Sequence, residues 1–188
     1  MANNPIRKPL CSGCPFRGQN DGLVAKVIKG VYIKPGCRYC SGGKRIKVFK
    51  AADPKKFVPS WCPRRKTPAE LRVYCYKDIM TCHLNYLFEQ EGGKNSPIAC
   101  EYAMRYECKT ELTAKGFYDL SQQLWPSDIL KFRVYTSEVI EIDDGLKPYY
   151  FCIREGSIEV LFSFDRERAW KNQLDRPDLK DEGQDDDS

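Results

Sequence analysis

Cys11-Ser-Gly-Cys14 is followed, after 22 intervening residues, by Cys37-Arg-Tyr-Cys40. Nothing else in the chain restricts its fold as tightly. Two Cys-x-x-Cys pairs at that separation match the ligand spacing of a tetrahedral four-cysteine site for structural Zn²⁺. Two intervening residues let both thiolates of a tight turn face one ion. The N–H groups of that turn then donate to the sulfurs. Cys62, in Trp61-Cys62-Pro63-Arg64-Arg65, stands as an alternate ligand or as a plain thiol packed beside Trp61. An iron–sulfur cluster or a set of independent buried thiols fits the same spacing. A redox role fits less well, since two pairs need separate redox partners and no βαβ context surrounds them. The other five cysteines, Cys75, Cys82, Cys100, Cys108 and Cys152, show no ligand spacing and read as core filling.

The second pair runs into Ser41-Gly42-Gly43-Lys44 and then Arg45-Ile46-Lys47-Val48-Phe49. A cysteine turn, glycines free to take positive φ, and an alternating stretch read as a knuckle feeding a β-hairpin. On Cys11, Cys14, Cys37, Cys40, Gly42 and Gly43 this part of the chain resembles a zinc ribbon. Pro15 departs from the pattern, which usually has a small residue after the first knuckle. The resemblance implies a coordinatively closed, structural zinc. It also implies strands near Leu23–Lys29 and Lys44–Lys50. In the second of these, Ile46 and Val48 share the buried face, while Arg45, Lys47 and Phe49 point outward. No family is recognised for residues 67–188.

The charge is divided by position. The 188 residues carry a formal +5, but residues 1–66 hold 16 Lys or Arg against two acids, Asp21 and Asp53, which gives +14. The remainder holds 15 basic and 24 acidic residues, which gives −9. A block so basic attracts polyanions through release of their counterions. Its cations are interleaved with aromatics, which offer stacking surfaces. Arg38, Lys44, Arg45, Lys47, Arg64 and Arg65 are the phosphate candidates; Tyr39 and Trp61 are the stacking candidates. Lys55 and Lys56 belong to the same block. The expected partner is nucleic acid, DNA or RNA, or an acidic protein surface. The competing class is a protein–protein adaptor, with zinc as scaffold and an aromatic-rich C-terminal domain as the docking element.

Residues 67–174 read as an α+β domain. Strands are expected at Leu71–Tyr76, Ile98–Tyr106, Phe132–Ile142, Tyr149–Arg154 and Ser157–Phe164, the last with Ile158, Val160, Phe162 and Phe164 on one face. Glu155-Gly156 reads as a two-residue hairpin turn. Helices are expected at Ile79–Glu89, at Thr113–Leu124 with Pro126 as the stop, and after Asp165. The first places Ile79, Cys82, His83, Tyr86 and Leu87 at helical spacing. The whole reads as a small antiparallel sheet with helices. Residues 175–188, with seven acids and almost nothing apolar, read as a disordered acidic tail that folds back on the basic block.

Catalytic chemistry finds little footing. His83 is the only histidine, and no phosphate-binding glycine loop or nucleophile elbow is present. Asp143-Asp144-Gly145 reads as a turn rather than a magnesium site, with Glu138 and Glu141 as polar strand surface. The sequence predicts a non-enzymatic protein. The start of the chain lacks the apolar core of a secretory signal, and no run of 18 apolar residues occurs. The expected setting is therefore cytoplasmic, without a membrane partner.

Overall fold

The computed structural model describes residues 11, 14–51, 53, 57–93 and 95–179. Lys55, Lys56 and residues 180–188 lie outside these. The fold is α+β, and every paired strand among the described residues runs antiparallel. The chain divides into two compact units, Met1–Lys66 and Thr67–Ser188.

In the first unit, β1 (Arg17–Gln19), β4 (Arg38–Cys40) and β5 (Lys47–Val48) form a sheet in the order β1-β4-β5. β2 (Lys26–Ile28) and β3 (Val31–Ile33) form a separate hairpin. Lys29 and Gly30 close it with φ of 44° and 76°. Two positive values make a type I′ turn, whose twist suits the flanking strands. Asn20 is almost fully buried and ties the hairpin down, its amide donating to the carbonyls of Val24 and Ile33 at 3.0 and 2.9 Å. The buried apolar side chains among the described residues of this unit are Ile33, Ile46, Phe57, Val58 and Pro59. That is a small core for a stretch of this length.

The second unit is built on a five-stranded sheet, β10-β9-β8-β6-β7. The strands are β6 (Ala69–Tyr76), β7 (Tyr102–Thr110), β8 (Val139–Asp143), β9 (Pro148–Arg154) and β10 (Ser157–Leu161). Side chains alternate across the pleat. One face carries Leu71, Val73, Ile140, Ile142 and Phe151. Helix α2 (Ala114–Leu120) covers it, with Phe117 edge-on to Phe151 at 5.0 Å. The other face carries Tyr74, Tyr76, Tyr102, Val139 and Cys152. Phe164 and Ala169 cover it, the latter on α4 (Arg166–Trp170). Helices α1 (Ile79–Gln90) and α3 (Pro126–Leu130) complete the unit.

Several elements differ from the sequence reading. The strand expected from Ile98 starts at Tyr102, after a single 3-10 turn over Ala99–Glu101, and runs on to Thr110. The strand expected over Phe132–Ile142 begins only at Val139, because Ser137 sits at φ 68° and interrupts the extended run. Pro126 does not merely follow a helix but starts α3, where its missing N–H costs nothing. β10 stops at Leu161, so Phe162 is exposed while Phe164 turns under the sheet against Tyr74, Tyr102 and Tyr150.

Glu138 and Glu141 are not strand surface: both are buried. Glu141 accepts from Arg72 at 3.0 Å, Tyr74 at 2.6 Å and Arg166 at 2.9 Å. Burial and this carboxylate push the Tyr74 phenol up, so it stays a donor. Glu138 pairs with Arg105 at 2.8 Å. Asp143 and Asp144 do make the turn, accepting from Gly145 N at 2.8 Å and Leu146 N at 3.3 Å.

The C-terminal segment is held further than its composition predicts. Asp175 forms an isolated parallel bridge with Asp78, its N–H donating to the Lys77 carbonyl at 2.6 Å. Arg176 is buried and forked onto Asp178 at 2.8 and 2.6 Å.

Candidate metal centre and nucleic-acid interface

Cys11, Cys14, Cys40 and Cys62 line one cavity of about 20 Å³, walled by Phe16, Phe49 and Trp61. That is the room of a single water-sized body. The four thiols arrive from three pieces of local structure. Cys11 and Cys14 are joined directly, Cys14 N donating to Cys11 O at 3.3 Å. Cys40 ends β4, paired with Arg17 across the sheet. Cys62 opens a second turn, its carbonyl accepting from Arg65 N at 3.3 Å. The thiols feel one another: burial first, then Cys62, Cys14 and Cys40, push the Cys11 thiol up. Arg64 leans over the rim, 4.0 Å from Cys14 Sγ, with its guanidinium over Phe16.

Cys37 does not line this cavity. Residues 38–40 are extended as β4, not coiled into a knuckle. Along extended backbone, positions i and i+3 face opposite sides, about 10 Å apart. Cys37 lines a neighbouring cleft with Arg38 and Lys50, and that cleft shares Cys11, Arg17 and Phe49 with the first. Gly42 and Gly43 do not take positive φ; Gly30 and Gly36 do. Gly42 permits close approach instead, since a Cβ there would lie 3.1 Å from the Phe16 ring.

As the side chains stand, no three His, Cys, Asp or Glu among the described residues are arranged to hold a metal ion. The donor set of the cavity nonetheless suits one. It offers four sulfurs, the number and type that zinc takes in structural sites, in a space of ion size. None of the ten cysteines forms a disulfide, so none supplements the small core.

The basic candidates divide between clefts. Lys44, Arg45, Lys47 and Trp61 line one open cleft of about 290 Å³, together with Cys40, Gly43 and Pro63. No acid lines it among the described residues. Lys44, Arg45 and Lys47 are exposed. Lys47 Nζ sits 5.3 Å from the Trp61 ring centroid. Trp61 is oriented by its indole N–H, which donates to Asp53 at 3.0 Å, and by Phe49, edge-on at 5.2 Å. Phe49, expected outward, is therefore half-buried as packing for Trp61. Arg38 lies in the cleft of Cys37 and donates to Gln19 at 3.0 Å. Tyr39 lies across Gly18, where a Cβ would collide with its ring, and lines neither cleft. Arg64 and Arg65 flank the Cys62 turn.

No protein family, curated protein or solved structure matches the chain. No helix among the described residues is long and apolar enough to cross a membrane.

Proposed function

We propose that residues 1–66 form a zinc-stabilised module that binds single-stranded nucleic acid, and that the protein acts by binding rather than by catalysis. The cleft of Lys44, Arg45, Lys47 and Trp61 carries this reading. It combines three exposed cations with one oriented indole, and its volume suits a single nucleotide. Base stacking on an aromatic contributes about 1–3 kcal/mol without regard to sequence. Lysine and arginine neutralise phosphates on either side and release counterions. The surplus of cations over the whole unit supplies long-range attraction. Zinc, on Cys11, Cys14, Cys40 and Cys62, holds β4 and the Cys62 turn together and so fixes the two walls of the cleft. Bound there, it is structural and supplies no Lewis-acid chemistry.

Fluorescence anisotropy of a labelled single-stranded oligonucleotide against the full chain tests the reading. Three phosphate contacts predict a slope of log K on log[salt] of about −2, at about −0.7 per contact. Each of Lys44→Gln, Arg45→Gln and Lys47→Gln reduces it by about 0.7. Absence of binding at about 100 μM, or salt-independent binding, overturns the proposal. Equal competition by an acidic peptide transfers the cleft to an acidic protein surface.

A further inference from the structure

The Cys37 cleft, of about 360 Å³, has a charge of its own. Arg17, Arg38 and Lys50 are its cations, and Asp53 is its one acid among the described residues. Both oxygens of that carboxylate are engaged: Oδ2 accepts from Lys50 N at 2.6 Å, and Oδ1 from the Trp61 indole at 3.0 Å. The cleft therefore keeps a surplus of positive charge. The register of the sheet relates it to the Trp61 cleft. Cys40 stands opposite Arg17 on β1 and opposite Lys47 on β5. Two residues back along β4, Arg38 stands opposite Gln19, and its carbonyl accepts from Phe49 N at 2.8 Å. Opposed residues, and residues two apart on one strand, share a face. Arg17, Arg38, Lys47 and Phe49 thus lie on one face of one sheet.

We propose that the nucleic-acid interface spans both clefts, with Arg17, Arg38 and Lys50 taking the phosphates of the nucleotides next to the one in the Trp61 cleft. The ligand is then an oligonucleotide and not a free mononucleotide. The inference rests on the nucleic-acid reading of the Trp61 cleft and adds a second subsite to it. Continuity is the first argument. Lys47 lines the Trp61 cleft and Phe49 the Cys37 cleft. They stand two strand residues apart, about 7 Å, a step that two stacked nucleotides cover at about 3.4 Å each. The second argument is the wall between them. Phe49 packs edge-on against Trp61 at 5.2 Å, and the thiol cavity shares Trp61 with one cleft and Phe49 with the other. A strand that stacks on Trp61 therefore meets an aromatic edge, not a charged barrier, on its way to the second cleft. The third is charge. Asp53, the one acid on the route, is already held by two N–H donors, one of which orients Trp61. Two linked subsites bind one strand more tightly than either alone, because the second contact is made within the complex.

Length and salt test it. Unlabelled oligothymidylates, from the mononucleotide to about the octamer, compete with a labelled strand for the full chain. Affinity is expected to rise more than about tenfold once a strand reaches both clefts, and beyond that only in proportion to length. With the longer strands the slope of log K on log[salt] steepens from about −2 towards about −4, since six cations are engaged rather than three. Arg38→Gln and Lys50→Gln each reduce that slope by about 0.7, and together they remove the steep rise with length. Arg38→Lys behaves as wild type, which separates charge from a change of fold. An affinity that grows only in proportion to length from the mononucleotide upward overturns the proposal. So does a slope unmoved by Arg38→Gln and Lys50→Gln. If Lys44→Gln, Arg45→Gln and Lys47→Gln still reduce the slope in that case, the Trp61 cleft binds alone; if they do not, the nucleic-acid reading falls too.

Discussion

Cys37 and Cys62 differ in a way that spacing does not reveal. Ligand arithmetic favours Cys37 because it pairs with Cys40 at the expected interval, but that interval holds only in a coiled turn. Arg38-Tyr39-Cys40 instead joins the sheet opposite Arg17-Gly18-Gln19, and Cys37, just before the strand, lines the neighbouring cleft that shares Cys11. Cys62 belongs to no Cys-x-x-Cys pair and reaches the cavity from a turn of its own. We expect Cys37→Ser, purified without added metal, to retain about one zinc per chain, while Cys62→Ser loses it. The reverse pattern, read by elemental analysis, refutes this set of four. A brown chromophore in the wild-type protein replaces zinc with an iron–sulfur cluster. What was legible is that Cys11, Cys14 and Cys40 come together at one cavity, with Cys62 weighed as the alternate. Glu141 was not. A carboxylate in a strand reads as surface, and only the tertiary fold brings Arg72, Tyr74 and Arg166 to it from β6 and α4.

Elements with local signals were the most legible. α1 begins at Asp78, whose carboxylate accepts from Thr81 N at 2.7 Å and from the Thr81 hydroxyl. It ends in a Schellman arrangement: Gly92, at φ 82°, donates to Glu89 O, and Gly93 donates to Phe88 O, both at 3.0 Å. The Thr113 cap, the Glu155-Gly156 hairpin and β6 follow from the same kind of short-range chemistry. Periodicity could place apolar residues on α1 but not say which side of the helix the protein would cover. The Thr81 bonds hold the Asp78 carboxyl below the usual carboxylate range. Its folded pKa is depressed, so the cap contributes in full above the ordinary value near 3.9. The contribution is lost as pH falls through the folded value. Asp78→Ala should cost about 1 kcal/mol at pH 7, and the deficit relative to wild type should shrink near pH 3. Urea denaturation at the two pH values measures it; an equal deficit at both would remove the charged cap from the account.

At the scale of the molecule the two units are stabilised differently. The second has a sheet covered on both faces and a long roll of buried apolar side chains; the first has five among its described residues. Chains with so little core depend on a metal or another staple. Prolonged chelation should therefore abolish amide protection in β1–β5 while leaving β6 and β8–β10 protected, as hydrogen exchange can resolve. Loss of protection in both units, or in neither, would contradict a zinc confined to the first. The α+β class is readable in the periodicity, and the change of character at residue 66 in the charge, since acids are almost absent before it and outnumber the bases after it. The sheet order is not, because it depends on which long-range pairings close. The cavity also has a history in time. Its four thiols lie at residues 11, 14, 40 and 62, so the wall is open until the chain is almost through the unit. At synthesis rates of about 5–20 residues per second, Cys11 and Cys14 wait several seconds for Cys62. During that interval they lack the last member of their cavity, and a chain interrupted before Cys62 leaves it open.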